Sequence, residues 1–230
     1  MRRPEFIAQQ SAHPRGYLGR VIARIMALET ATPNRRVLEL LDLNEKSRVL
    51  EVGFAHGHTL ARAAELARQG FVAGIDISAA MVDMAQTFSR DSIAKGLIEV
   101  RQASSDQIPY PDQSFDRIFA VHTLYFWNDP LAHLREIRRV CRVGGRFVLA
   151  FGPREDARAV AAFPKAVYIF YSIDETQRLL AEAGFYSVTM SRERITAREI
   201  VFAVGYPRRN SRPLPSSRAM HEYVCPVAGS

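Results

Sequence analysis

Glu51, Gly53, Gly57 and Asp76 are the residues whose types and spacing promise chemistry in this 230-residue chain. Val49-Leu50-Glu51-Val52 is the short apolar run of a buried parallel strand, and it ends at Gly53. Gly53 and Gly57 permit backbone torsions and close approaches that a side chain would obstruct. A helix opening behind them turns its free N–H groups toward whatever fills the loop. Phe71-Val-Ala-Gly-Ile-Asp76 is a second buried strand, ending in an acid 23 residues beyond Gly53. A carboxylate there can accept both hydroxyls of a ribose. Asp76 could instead cap the following helix, but Ser78, just before Ala79, can do that and leave Asp76 free. A nucleotide-type ligand suits this arrangement. A dinucleotide fingerprint would put glycines where Gly53, Ala55 and His58 stand, and no Gly-Lys-Ser/Thr phosphate loop is present. His56 and His58 lack a carboxylate-rich partner motif, and a helix N-terminus disfavours a cation, so no metal is expected.

The elements that must position these residues follow from periodicity and turn chemistry. Further strands are expected at 97–101, 116–122 and 147–151. Asp129 and Pro130 open a helix that runs to Cys141. Ser172 starts an amphipathic helix that stops at Gly184. Residues 187–195 and 199–206 read as a hairpin. Ahead of the first strand, Leu18, Val21, Ile22, Ile25 and Met26 recur at helical spacing, which predicts a helix over 17–30 and another over 34–41.

Glu51-Val-Gly53-Phe-Ala55-His-Gly57 resembles the first motif of the class I S-adenosylmethionine-dependent methyltransferases, with alanine at the middle glycine. Residues 102–116 are similar to that family's next segment, with Ala103, Ser104 and Ser105 in place of Gly, Asp and Ala. Asn128-Asp129-Pro130, a helix, Gly144-Gly145 and a strand resemble its UbiE-like, type 11 members. The likeness covers residues 48–151. It implies an α/β, Rossmann-like, seven-stranded and mostly parallel sheet with a C-terminal antiparallel hairpin strand and helices on both faces. The ligand crevice then lies at the carboxyl ends of the first and fourth strands.

The resemblance also implies S-adenosyl-L-methionine as cofactor and S-adenosyl-L-homocysteine as product. Glu51, Gly53, Phe54, Ala55 and Gly57 form its loop, Asp76 meets the ribose, Ile77 also contacts the cofactor, and Met81, Ser104 and Ser105 surround the adenine. Ser104 offers only a hydroxyl where the family's aspartate bonds the adenine amine, unless Asp106 reaches in. Residues 1–42 become a helical lid. His122 is the catalytic candidate, since an imidazole can accept a proton near neutral pH; its alternative is to line the cofactor's methionine end. Tyr17, Tyr125, Trp127, Tyr168 and Tyr171 are candidates for the acceptor side, with core packing the competing role for the aromatics at 125 and 127.

His122-Thr-Leu-Tyr125 is not the Asn/Asp-Pro-Pro-Tyr/Phe box that grips a planar amide or exocyclic amine, which disfavours a DNA base or glutamine as acceptor. The expectation is a small or lipid-like molecule methylated on oxygen, nitrogen or carbon. Two rivals are an RNA or protein methyltransferase and a cofactor-binding module without turnover. The net charge of +7 concentrates at the ends: residues 1–36 carry +5, residues 207–230 carry +3, and the stretch between them −1. That distribution disfavours nucleic acid as partner, although basic ends could contact RNA or an anionic membrane surface. At 47% hydrophobic, the chain can bury one core. The expected organisation is a single domain over 1–206 with a disordered, proline-rich tail over 207–230. No run approaches the roughly 20 apolar residues of a membrane span, and Met1-Arg-Arg-Pro-Glu5 lacks the apolar segment of a secretory signal. Cys141 and Cys225 suggest neither a disulfide framework nor zinc. A cytoplasmic monomer or homodimer is expected.

Overall fold

A computed structural model describes residues 3–208. Its strands are β1 (Arg48–Val52), β2 (Phe71–Asp76), β3 (Ile98–Gln102), β4 (Phe115–Val121), β5 (Cys141–Phe151), β6 (Phe185–Ile195) and β7 (Arg198–Pro207). They form one sheet in the order β3-β2-β1-β4-β5-β7-β6. The first five pair in parallel, and β7 runs antiparallel to both β5 and β6. This is the expected seven-stranded sheet.

The helices are α1 (Glu5–Ala12), α2 (Gly16–Leu41), α3 (His58–Leu66), α4 (Ala79–Phe88), α5 (Arg90–Ala94), α6 (Pro130–Val140), α7 (Ala157–Ala162) and α8 (Ile173–Glu182). Because side chains alternate along a strand, β1 sends Val49 to one face and Leu50 and Val52 to the other. Val49 joins Val37, Leu41, Leu60 and Met81 from α2, α3 and α4. Leu50 and Val52 join Leu134, Ile137 and Leu180 from α6 and α8. Both faces of the central strands are therefore covered, which is why those strands are apolar throughout.

The helix starts follow the local signals. Ser78 Oγ accepts the Met81 N–H, Asp129 accepts from Leu131 and Ala132, and Ser172 forms a capping box with Glu175. Two boundaries differ from expectation. The two N-terminal helices are one, α2, which runs through Pro33. Proline removes a single N–H bond and crowds the preceding turn, and burial of Val37, Leu38 and Leu41 beyond it holds the axis in place. Cys141 begins a strand instead of ending a helix. Gly144, at φ 82°, makes a bulge inside β5, where the partners of Phe115 and Arg117 shift from Cys141 to Arg146. The short helices α1, α5 and α7 had no signal long enough to read. Among the described residues no helix is long and apolar enough to cross a membrane. The tail expected at 207–230, with Cys225, lies outside the described residues from 209 onward.

Candidate active site

The strand order reverses between β1 and β4, and a cavity of about 200 Å³ opens there at the carboxyl ends of the strands. Its floor holds two acids. Glu51 is buried, and its Oε2 has no hydrogen-bond partner among the described residues. Asp76 takes the Ala55 N–H on Oδ2 at 3.0 Å and the Ser78 N–H on Oδ1 at 2.9 Å. These bonds shape the loop, because Ala55 sits at φ 50° and needs its amide held. Gly53 stands at φ 76°, and a Cβ there would meet Thr123 Cγ2 at 2.5 Å.

Gly57 departs from expectation. It does not line the cavity; a Cβ on it would strike Ala85 at 2.8 Å, so its lack of a side chain serves the packing of α3 on α4. His56 Nδ1 accepts the His58 N–H and so supplies a helix cap.

Phe54, Ile77, Met81, Ser104 and Ser105 line the same cavity. Asp106 is exposed and outside its wall. Ser105 Oγ lies 2.7 Å from His133 Nδ1, and the His133 ring stacks on Trp127 at 4.9 Å between centroids, 9° from parallel. Trp127, expected on the acceptor side, lines this cavity. His133, on the inner turn of α6, had no sequence signal, since its partners are a loop serine and an indole brought by folding. The roof is N-terminal: Ser11, Pro14, Ala23 and Asn34 line it, and Ser78 Oγ donates to the Pro14 carbonyl at 2.6 Å. Residues of α1 and α2, with Pro14 between them, thus form one side of this cavity.

A second cavity, of about 560 Å³, adjoins the first. Tyr125, Phe126, Phe163, Tyr168 and Phe170 wall it, with Arg3, Glu29 and Arg198 among the charged groups. Thr30, His122 and Phe126 line both cavities. Tyr17 is 83% exposed, and neither it nor Tyr171 belongs to either wall. His122 adopts the left-handed φ of 57°, a strain of roughly 1–3 kcal/mol for a non-glycine residue. Its N–H still bonds the Ala150 carbonyl at 2.8 Å, so the pairing of β4 with β5 reaches one residue beyond Val121. His122 Nδ1 lies 2.9 Å from Tyr125 Oη, which also accepts the Gly152 N–H.

Residues 50–149 match the family model described as a methyltransferase domain. The uncharacterized methyltransferase YdaC of Bacillus subtilis is 30% identical over 131 residues, 57% of this chain and 70% of that protein. The chain belongs to the class I S-adenosylmethionine-dependent methyltransferases.

The methyltransferase is also 32% identical over 167 residues to the 27-O-demethylrifamycin SV methyltransferase of Amycolatopsis mediterranei; that match covers 68% of this chain and 61% of the relative. A crystal structure of an S-adenosylmethionine-dependent methyltransferase from Aquifex aeolicus superposes with a TM-score of 0.61 at 25% identity, covering 74% of this chain and 88% of that one.

Electrostatics in the methyltransferase site follow from burial. Glu51 is held well above the usual carboxyl range by desolvation and then by the neighbouring Asp76 charge. Burial raises Asp76 to about 6, against the pull of the Ser78 and Ala55 amides. His122 is pushed down to about 4, by burial first and by Arg198 second, so the imidazole is neutral at pH 7. Tyr125 Oη accepts from Gly152 and keeps its proton and a second lone pair for His122 Nδ1; a phenol proton donated to Nδ1 would leave the imidazole proton on Nε2, the arrangement we propose. Removing the phenol tests this network. Tyr125→Phe is expected to lower stability by roughly 1–3 kcal/mol in urea unfolding, the cost of a buried amide left without its acceptor. Nitrogen NMR should then show His122 as a tautomer mixture in place of one Nε2–H form; an unchanged signal would refute the assignment.

Proposed function

We propose that the methyltransferase binds S-adenosylmethionine in the 200 Å³ cleft and methylates an oxygen of a small organic acceptor seated in the aromatic cavity. The observation that carries this reading is the sharing of Thr30, His122 and Phe126 by the two cavities, since transfer needs both reactants in contact at one place.

The cleft residues fit the cofactor. Glu51 Oε2 is a buried acceptor without a donor, which the ammonium of a methionine moiety would satisfy. Asp76 would take the ribose hydroxyls, and Met81, Ser104, Ser105 and the His133–Trp127 stack would enclose the adenine. The bound cofactor supplies a methyl on a sulfonium, which an acceptor displaces in line while the sulfur keeps the bonding electron pair.

The protein's own part is to position and to exclude water. With its proton on Nε2 and its basicity depressed, His122 serves the acceptor as a hydrogen-bond donor more readily than as a base. Such a site suits an acidic hydroxyl, which gives up its own proton without a strong base. The rifamycin relative, whose name puts the methyl on an oxygen, supports the choice of atom.

The test is calorimetric binding of S-adenosylmethionine and S-adenosylhomocysteine, followed by S-adenosylhomocysteine release over a panel of phenols, alcohols and amines. Binding on the order of micromolar, about −8 kcal/mol, together with turnover confined to hydroxyl acceptors is the expected result. Cofactor binding with turnover on amines alone would overturn the choice of oxygen, and no turnover on any member would overturn the small-acceptor reading.

A further inference from the structure

Three charged side chains from distant parts of the sequence meet in the aromatic cavity. Arg3 precedes α1, Glu29 lies in α2, and Arg198 opens β7. Both guanidiniums lie over the Phe163 ring, at 5.0 Å for Arg3 and 5.1 Å for Arg198. Glu29 Oε2 is 3.1 Å from Arg3 and 3.8 Å from Arg198. Arg3 is held on several sides: its side chain also reaches Ser11 Oγ at 3.4 Å, and its backbone N–H bonds the Ala162 carbonyl. Arg198 is different. Its contact with Glu29 is beyond hydrogen-bond reach, and its guanidinium makes no hydrogen bond among the described residues. Glu199, the remaining acid in the wall, is paired with Arg192 at 2.7 Å. Two arginines against Glu29 therefore leave one positive charge uncompensated in the cavity.

We infer that the acceptor carries a carboxylate, which Arg198 takes with its open donor fork, on a planar apolar body clasped by the aromatic walls. A guanidinium presents parallel N–H groups that match a carboxylate in bidentate fashion. The contact with the Phe163 ring restricts the half-exposed Arg198 side chain, which reduces the freedom lost on binding. The rings of Tyr125, Phe126, Phe163, Tyr168 and Phe170 pack at 4.6 to 6.1 Å between centroids, which makes an apolar aromatic wall able to meet a ring of the ligand edge-on or face-on. A cavity of about 560 Å³ accommodates a small molecule of this kind and not a macromolecule. The acceptor class is thus a planar hydroxy acid, with the carboxylate at Arg198 and the hydroxyl at the His122 end where the cavities meet. The inference rests on the aromatic cavity being the acceptor site.

The test is binding, so that it does not depend on turnover. The full-length protein with S-adenosylhomocysteine present is titrated with hydroxynaphthoate, para-hydroxycinnamate and para-hydroxybenzoate, each beside its neutral carboxamide. At least one acid should bind tenfold or more tightly than its amide, which is about 1.4 kcal/mol. Arg198→Gln should erase that preference while leaving S-adenosylhomocysteine affinity and Tm unchanged. Glu29→Gln should tighten the acid and not the amide, a sign that a purely structural role would not produce. Equal binding of every acid and amide, no binding of any, or a preference that survives Arg198→Gln would overturn the inference. S-adenosylhomocysteine release with the same compounds is read separately: carboxylate binding without methylation would strike the proposed transfer and leave the anion site standing.

Discussion

Asp76→Ala should weaken S-adenosylmethionine binding at least tenfold, about 1.4 kcal/mol, and should also destabilise the free protein. The substitution removes the proposed partner of the ribose hydroxyls and, with it, the acceptors that hold the Ala55 and Ser78 amides. The two losses can be separated by pH. In the folded chain Asp76 titrates near 6, against an ordinary 3.8, because burial penalises its charge. A carboxyl raised on folding binds more protons native than unfolded across that window, so its contribution to stability falls as pH rises from about 4 to about 6. At roughly 1.4 kcal/mol per unit the loss amounts to about 3 kcal/mol. Ribose hydroxyls donate to the ionised form, so cofactor affinity should rise through pH 6 and then level off. Calorimetry in buffers of different ionisation enthalpy should register a proton release near pH 6 that Asp76→Ala removes. An affinity that is flat over this range, or one indifferent to Asp76→Ala, would remove Asp76 from the site.

Gly53→Ala should cost roughly 2–4 kcal/mol of stability, from two sources. A left-handed torsion of 76° burdens any side chain, and the new methyl would lie 2.5 Å from Thr123 Cγ2. The second source can be relieved. Thr123→Ser deletes the offending methyl, and the next Thr123 atom stands 3.8 Å from the added Cβ. In that background the glycine substitution should retain its torsional penalty of about 1–2 kcal/mol and lose the steric one. Pushing Thr123 aside also disturbs its neighbour His122, so both cofactor and acceptor affinity should drop in the single variant. Unaltered urea unfolding of Gly53→Ala would contradict the geometry of the turn.

The parts of this site that could be read from sequence are those written within a few consecutive residues. The strand ending at Gly53, the acid at Asp76, the Ser78 cap and the Asp129-Pro130 helix start each depend on neighbours in the chain. What escaped depends on packing between distant segments. Gly57 faces Ala85 of a later helix, and Trp127 lines the smaller cavity, stacked on His133. Pro33 looks like a break until the burial of Val37 and Leu41 beyond it is known. Tyr17 looked like an acceptor contact because it is aromatic and near the lid, yet it is exposed on α2. The meeting of Arg3, Glu29 and Arg198 joins the N-terminus to β7, which no local pattern could signal.

One rod, α2, contributes Ala23 and Asn34 to the cofactor cleft, Glu29 and Thr32 to the aromatic cavity, and Thr30 to both. Any displacement of its axis that suits one ligand is imposed on the other at the same moment. Linkage makes that influence symmetrical: the factor by which an acceptor sharpens cofactor affinity equals the factor by which the cofactor sharpens acceptor affinity. Substitutions on α2 that retune acceptor preference are therefore expected to alter cofactor retention as well.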